Sequence, residues 1–224
     1  MQASQNIVES DTQHLDEFMP IDVSVVRAAP LETSPYEHIV VSGFITPEWR
    51  DILLKEYPVV EKGGSFPLQT VEYGTLFKRL IDAMNGDDFR HAIEEKFSVD
   101  LSDKPTMFTV RGKCRAKDGK IHTDSESKII TVLLYMNPSW EDQGGKLRLL
   151  RSNDMNDVAR EVPPEIGTLL VFKRSDNSWH GHLPFEGTRR VIQMNWVTDQ
   201  KYVDHEQKRH GWSSWLKRFG KGGY

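Results

Sequence analysis

The second half of the chain alternates short apolar segments with turn residues. Between Met107 and Val197 the segments, separated by residues such as Gly, Asp, Asn, Ser and Pro, are MFTVRG, KIHTD, KIITVLLYMN, KLRLL, GTLLVFK, SWHGHL and RRVIQMNWV. Many short strands with regular turn signals are typical of antiparallel sandwiches and barrels. We therefore predict an antiparallel sandwich or barrel in this half of the chain.

The first hundred residues contain segments with helical spacing. In ITPEWRDILLKEYP, Thr46 suits an N-cap, Pro47 suits the first turn and Pro58 ends the helix. In EYGTLFKRLIDAM and DDFRHAIEEKF, four apolar residues of each segment share one helical face. The sequence thus predicts three amphipathic helices that cover one side of the sheet. The segments VSVVRAA and HIVVSGF are predicted as short strands.

Length and composition indicate one domain with a well-buried core. The chain has 224 residues, of which 38% are hydrophobic and 28% charged, near the averages for globular proteins. A net charge of −4 gives no reason to expect nucleic acid as the main partner. A single cysteine cannot form an intramolecular disulfide, and we find no signal peptide or apolar stretch long enough to cross a bilayer. We expect a cytoplasmic protein.

A pair of potential metal ligands lies in the segment IHTD. His122 and Asp124 are two residues apart, so on a strand both side chains point to the same face. An isolated pair of this kind is more often a solvent-facing strand end than a metal site. A downstream histidine would complete the arrangement of two histidines and one carboxylate that binds non-haem iron(II). His180 and His182 are the candidates, and the pattern by itself leaves both open.

Several segments, in this order, resemble the iron(II)- and 2-oxoglutarate-dependent dioxygenases, and within them the prolyl 4-hydroxylase-like branch. HTD resembles the family's His-x-Asp, and LLYMNPSWEDQGGKLRLL resembles its strand and Gly-Gly-x-Leu hairpin. GTLLVFKRSDNSWHGHLPFEGTRR resembles the stretch with the distal histidine, a proline and Gly-x-Arg. FITPEWRDILLKEY resembles the strand and helix that precede the core. The resemblance covers residues 36–198 and is strongest over 120–197.

The resemblance implies an α+β, mainly β fold with a double-stranded β-helix (jelly-roll) core. N-terminal helices would pack on one sheet, and a C-terminal helix would follow. In this interpretation residues 1–20 form a loosely ordered N-terminus, and residues 21–103 form supporting strands and helices of the same domain. The dioxygenase core spans residues 104–198, and an amphipathic helix spans residues 199–224.

The last segment has helical spacing and a basic charge. Its apolar stripe consists of Trp212, Trp215, Leu216 and Phe219. We expect this stripe to pack on the barrel or across a homodimer, because stripes at helical spacing are usually buried. Docking to a partner or a membrane surface is the alternative.

The resemblance also assigns the site residues. The family's distal histidine is followed four residues later by proline, which selects His180 and Pro184. The implied iron(II) ligands and catalytic residues are His122, Asp124 and His180. His182 is interpreted as a buried or rim histidine that could also line the pocket.

Two adjacent arginines compete for the role of the 2-oxoglutarate anchor. Strand alternation in RRVIQMNWV puts Arg189 on the more polar face, which should point into the barrel, and Arg190 on the more apolar face. Arg189 also belongs to the Gly-x-Arg motif, whereas the spacing to Trp196 in many relatives would select Arg190. We prefer Arg189, whose guanidinium can form paired hydrogen bonds with a carboxylate. Tyr135 matches the family tyrosine at this carboxylate, and Thr131 lies on the same strand face.

One departure from the family concerns a second tyrosine that relatives often carry before the first histidine. Here the region contains the basic residues Arg111, Lys113, Arg115 and Lys117. We favour a solvated basic loop over a substrate-facing patch for an acidic molecule.

By resemblance, the chain is expected to be a dioxygenase that uses Fe2+ and 2-oxoglutarate. It would hydroxylate an unactivated C–H bond of a small molecule or protein residue with dioxygen, releasing succinate and CO2. Asp124 favours hydroxylation, because halogenating relatives replace the carboxylate ligand with a small residue. The alternative is a catalytically silent metal-binding jelly roll that binds a ligand or partner.

Overall fold

Two antiparallel sheets form the centre of the protein in a computed structural model, which describes Leu15, residues 18–201 and residues 203–204. The strands are β1 (His38–Val41), β2 (Phe66–Pro67), β3 (Thr106–Cys114), β4 (Lys128–Tyr135), β5 (Leu147–Leu150), β6 (Val158–Val162), β7 (Leu169–Lys173), β8 (His180–His182) and β9 (Gly187–Val197). The larger sheet has the order β1-β7-β4-β9-β3-β2, and the smaller has the order β6-β5-β8. This is the predicted jelly-roll core.

Within the described residues, four α-helices of five or more residues precede the core. They are α1 (Ser24–Ala28), α2 (Pro47–Glu56), α3 (Thr75–Met84) and α4 (Asp87–Phe97). Thr46 is the N-cap residue of α2 and Pro47 its first residue, as predicted. The apolar faces predicted for the other two amphipathic helices are buried, with Phe77, Leu80, Ile81 and Met84 on α3 and Phe89, Ala92, Ile93 and Phe97 on α4.

Two predicted strands are wrong. VSVVRAA contains α1, which begins next to Asp22, whose Oδ1 accepts hydrogen bonds from the backbone N–H and hydroxyl of Ser24. This turn starts a short helix that buries Val26, and it overrides the β-propensity of the valines. KIHTD forms an isolated bridge between His122 and His180 rather than a regular strand.

The helices pack on the outer face of the larger sheet. Ile192, Met194 and Trp196 of β9 belong to the same buried cluster as the apolar faces of α2, α3 and α4. A second cluster, which includes Leu133 and Tyr135 of β4, lies between the two sheets. The alternation of β9 therefore separates a helix-facing side from a side that faces the barrel interior, as the sequence predicts.

Residues at the end of α2 attach it to the sheet. The hydroxyl of Tyr57 donates to the carbonyl oxygens of Arg111 on β3 and Val191 on β9. Arg190 donates from Nη1 to the carbonyl oxygen of Leu54 and lies over the Tyr57 ring. These contacts hold β3 and β9 side by side, and both strands contribute side chains to the cavity described below.

The stripe predicted between Trp212 and Phe219 lies outside the described residues, so its packing and the predicted homodimer stay predictions. Within the described part of the chain, no helix has the length and apolar character needed to cross a membrane.

Candidate metal centre and co-substrate pocket

The first two candidate ligands are brought to the third by a short backbone bridge between the His122 segment and β8. His122 and His180 exchange two backbone hydrogen bonds, each 3.0 Å long. Their imidazole centroids are 4.3 Å apart. Asp124 follows on the same segment, where its carbonyl oxygen accepts a hydrogen bond from Arg174 Nε. The segment is thus attached to both sheets.

The three side chains form a cluster suited to a metal ion. One ligand atom from each of His122, Asp124 and His180 lies within 4.8 Å of the other two. Nδ1 of His122 is 2.9 Å from the carbonyl oxygen of Lys120, and Nδ1 of His180 is 2.9 Å from that of Ser178. A carbonyl oxygen only accepts, so each Nδ1 donates, and each neutral ring keeps its Nε2 lone pair for a metal.

Burial and charge keep His180 and Asp124 in their metal-binding protonation states. Burial lowers the pKa of His180 to about 4, and the charge of Asp124 only partly offsets this effect. Burial alone would raise the pKa of Asp124. The ammonium group of Lys128, 2.7 Å from Oδ1, and the hydrogen bond from Thr131 nevertheless hold that pKa at about 2. Near neutral pH the cluster therefore contains a carboxylate and an uncharged His180.

A chain of hydrogen bonds fixes the Asp124 carboxylate. Gln193 Nε2 donates to Asn195 Oδ1, Asn195 Nδ2 donates to Thr131 Oγ1, and Thr131 Oγ1 donates to Asp124 Oδ2. Each side chain in this series donates a hydrogen bond to the next one, and the series ends at the Asp124 carboxylate. The hydroxyl of Thr131, predicted from the sequence to contact the co-substrate, is thus bonded to Asp124 and Asn195.

Arg189 lines the cavity, and Tyr135 lies beside it. Arg189 is only 5% exposed, its Nε donates to the carbonyl oxygen of Gly145, and its guanidinium carbon is 5.4 Å from the Tyr135 ring centroid. The buried hydroxyl of Tyr135 has no hydrogen-bond partner among the described residues. A buried cation beside an unsatisfied hydroxyl donor is a suitable receptor for a carboxylate.

The two neighbouring arginines and the two neighbouring histidines of this region differ in their positions and contacts. Arg189 lines the cavity, whereas Arg190 contacts α2 on the opposite face of β9. His182 also lines the cavity, but Nδ1 of its ring lies 2.8 Å from the carbonyl oxygen of Leu183, and it is not part of the cluster with His122, Asp124 and His180.

The cavity has a volume of about 380 Å³, and two of its charged lining residues, Arg111 and Lys128, were not assigned to the site from the sequence. Lys128 reaches Asp124 across a short turn, in which the N–H of Lys128 donates to the carbonyl oxygen of Ser125. Arg111 was interpreted as part of a solvated loop, but its side chain lines the cavity. Alternation along β3 with Thr109, another lining residue, would have indicated this orientation.

Comparison with known proteins supports the resemblance. Residues 112–198 match the family model described as the 2OG-Fe(II) oxygenase superfamily. The matched segment contains all three clustered ligand residues and Arg189. No curated protein matches the chain in sequence.

Solved structures share the fold. A prolyl-4-hydroxylase from Pseudomonas putida is 18% identical with a TM-score of 0.53, and the match covers 79% of this chain and 94% of that chain. A prolyl 4-hydroxylase from Phytophthora capsici is 16% identical with a TM-score of 0.54, covering 89% and 72%. HygX from Streptomyces hygroscopicus, solved with nickel and 2-oxoglutarate, is 11% identical with a TM-score of 0.50, covering 73% and 83%.

Proposed function

We propose that the chain is an iron(II)- and 2-oxoglutarate-dependent hydroxylase, since residues 112–198 match the family model of the 2OG-Fe(II) oxygenase superfamily. The observation that carries this proposal is the cluster of His122, Asp124 and His180, whose ligand atoms lie within 4.8 Å of one another. Two imidazoles and a carboxylate form the donor set that non-haem iron(II) oxygenases use, with positions left open for other ligands.

The residues of the cavity fit both iron(II) and 2-oxoglutarate. His122 and His180 would bind iron(II) through Nε2, and Asp124 would bind through its carboxylate. The hydrogen bonds from Nδ1 to backbone carbonyls fix both imidazole rings, so little reorientation is needed when the ion binds. The solved HygX structure with nickel and 2-oxoglutarate bound supports the same pair of groups for this fold.

Arg189 and Tyr135 would hold the distal carboxylate of 2-oxoglutarate. The guanidinium provides paired donors for a carboxylate, and the unsatisfied Tyr135 hydroxyl provides a further donor. Apolar residues beside them, Leu133, Leu147 and Val191, line the cavity and limit the access of water to the reacting atoms.

When bound, iron(II) and 2-oxoglutarate supply the dioxygen-activating chemistry that converts a C–H bond to C–OH and releases succinate and CO2. The chain's own contribution is to hold the ligand carboxylate ionised, to fix the imidazoles and to orient the co-substrate through Arg189 and Tyr135. Asp124 favours hydroxylation over halogenation, because its carboxylate fills the position that a halide would need.

Anaerobic titration with iron(II) and 2-oxoglutarate tests the proposal. We expect a weak visible charge-transfer band that His122→Ala and Asp124→Ala abolish. His91→Ala, which changes an exposed histidine on α4, should retain the band. In air, the wild-type protein should form succinate. A folded wild-type protein without the band would contradict the metal site, and a band without succinate would indicate the silent metal-binding module.

A further inference from the structure

Arg111 is fixed in the cavity wall by its neighbours. It pairs with Val191 in the ladder between β3 and β9, and its carbonyl oxygen accepts a 2.7 Å hydrogen bond from Tyr57. The next residue, Gly112, packs so closely against the carbonyl oxygen of Val60 that a Cβ atom would collide with it. These contacts fix the β3 backbone at Arg111, just before its pairing with β9 changes register, and the Arg111 side chain lines the cavity.

No carboxylate in the described part of the chain forms an ion pair with Arg111. Asp118, whose charge reaches Arg111, accepts three hydrogen bonds from the Arg115 side chain and one from its backbone N–H. Burial and the like charge of Arg189 both lower the pKa of Arg111. A largely buried guanidinium without an anion is costly, because desolvation of a charge is offset only by a partner.

The charges around the cavity leave an excess of positive charge. Arg111, Lys128 and Arg189 are cationic, and Asp124 is the anionic lining residue. Lys128 is paired with Asp124, and Arg189 would be paired with 2-oxoglutarate. Iron(II) and dianionic 2-oxoglutarate cancel each other's charge, so their binding does not remove the excess. Arg111 stays without an anion even in the loaded site.

We propose that Arg111 binds the carboxylate or phosphate group of a small anionic primary substrate. This proposal rests on the proposed function, since it assigns the co-substrate carboxylate to Arg189. The guanidinium fork of arginine can form two parallel hydrogen bonds with either oxyanion, and these fix the direction from which the substrate enters. A cavity of about 380 Å³ is near the lower end for ligand pockets, which fits a small molecule beside the co-substrate.

Weak anion binding to the loaded site tests this assignment. The protein is loaded with Zn²⁺ and saturated with N-oxalylglycine, an unreactive analogue of 2-oxoglutarate. Malonate is then titrated with saturation-transfer NMR as the readout, and inorganic phosphate is titrated with ³¹P line broadening. We expect at least one of the two probes to bind saturably. Arg111→Gln should weaken this binding by about tenfold or more, because a charged hydrogen-bond pair is lost.

Two further variants separate the charge of Arg111 from general effects. Arg111→Lys should retain part of the binding, because it keeps the charge but not the fork. Lys113→Gln is the matched control, since Lys113 lies on the same strand but is exposed. The melting temperature of each variant shows whether it is folded. If Arg111→Gln alone failed to fold, the comparison of Arg111→Lys with wild type would decide.

Each remaining outcome has a definite meaning. The proposal is overturned if neither probe binds the wild-type protein, or if Arg111→Gln binds both as well as wild type. It is also overturned if Arg111→Gln weakens the binding of N-oxalylglycine as much as Arg189→Gln does. Arg111 would then be part of the co-substrate site. Failure of the wild-type protein to bind N-oxalylglycine would instead contradict the proposed function. The same malonate and phosphate titrations of the metal-free chain would still decide the role of Arg111.

Discussion

Thr131 donates a 2.5 Å hydrogen bond to Oδ2 of Asp124, and this contact joins the candidate iron ligand to the interior of β4. Thr131 in turn accepts from Asn195 on β9. The carboxylate orientation thus depends on two strands of the larger sheet, although Asp124 itself lies on a segment without regular strand structure.

Loss of this hydrogen bond is expected to weaken iron binding. Thr131→Val keeps the shape of the side chain but removes the hydroxyl, so iron(II) affinity should fall about 10- to 100-fold, as is typical when a partner of a metal ligand is lost. Thr131→Ser keeps the hydroxyl and should bind iron nearly as wild type does. Anaerobic titration measures both, and equal affinity of Thr131→Val and wild type would contradict the positioning role.

The two adjacent arginines should have separable roles. Arg189→Gln removes the charged partner of the co-substrate and should raise KM for 2-oxoglutarate about ten- to hundredfold, with the protein still folded. Arg190→Gln should leave that KM nearly unchanged but lower stability by about 1 kcal/mol, because it loses the bond to Leu54 and the contact with Tyr57. Steady-state succinate formation and urea unfolding provide the two measurements. The reverse pattern would reassign the anchor to Arg190.

Asn137 connects three backbone groups at the end of β4. Its Nδ2 donates to the carbonyl oxygens of Pro164 and Arg190, and its Oδ1 accepts from the N–H of Arg190. Asn137→Ala leaves these groups without their partner and should lower the free energy of unfolding by about 3 kcal/mol. Asn156→Ala, at an exposed loop position, should cost no more than about 0.5 kcal/mol. Urea denaturation measures the free energy of unfolding of both variants. Similar losses of this free energy in the two variants would show that Asn137 is replaceable.

His38 should make the protein sensitive to acid. It is 2% exposed, and burial lowers its pKa from the ordinary histidine value of about 6.5, against opposing effects of the Tyr36 carbonyl and Glu32, while the positive charge of Arg160 lowers it further. The unfolded chain therefore binds a proton more readily than the native chain. Stability from this group is complete above the unfolded pKa and is lost as pH falls below about 6.5 towards the lower native pKa.

Replacement of His38 should reduce that acid sensitivity. In His38→Gln, the decline of unfolding free energy below pH 6.5 should be shallower by up to about 1.4 kcal/mol per pH unit, the slope for one proton. The measurement is urea unfolding of the metal-free protein across this pH range. His91→Gln, at an exposed position, should keep the wild-type slope. Parallel curves for His38→Gln and wild type would contradict the assignment to His38.

Local periodicity determined much of the architecture. The spacing of apolar residues was sufficient for the buried faces of α3 and α4, and the Thr46-Pro47 pair was sufficient for the start of α2. Alternation along β9 placed Arg189 and Arg190 on opposite faces, because successive side chains of a strand point to opposite sides wherever the strand is regular.

Irregular backbone and long-range pairing decided the rest. The valines around Ser24 became helical because a local turn at Asp22 and the burial of Val26 outweighed their β-propensity. Lys128 reaches Asp124 across the turn between Ser125 and Lys128, and the period of a strand does not encode such a contact.

By itself, the sequence determined the order of the motifs and the faces of the regular elements, and its resemblance to a known family indicated the candidate ligands His122, Asp124 and His180. Only the tertiary structure decided that Arg111 lines the cavity and that the buried Tyr135 hydroxyl beside Arg189 has no hydrogen-bond partner among the described residues. The physical reason is that a periodic pattern reports the direction of a side chain, whereas its partners depend on which distant strands pack beside it.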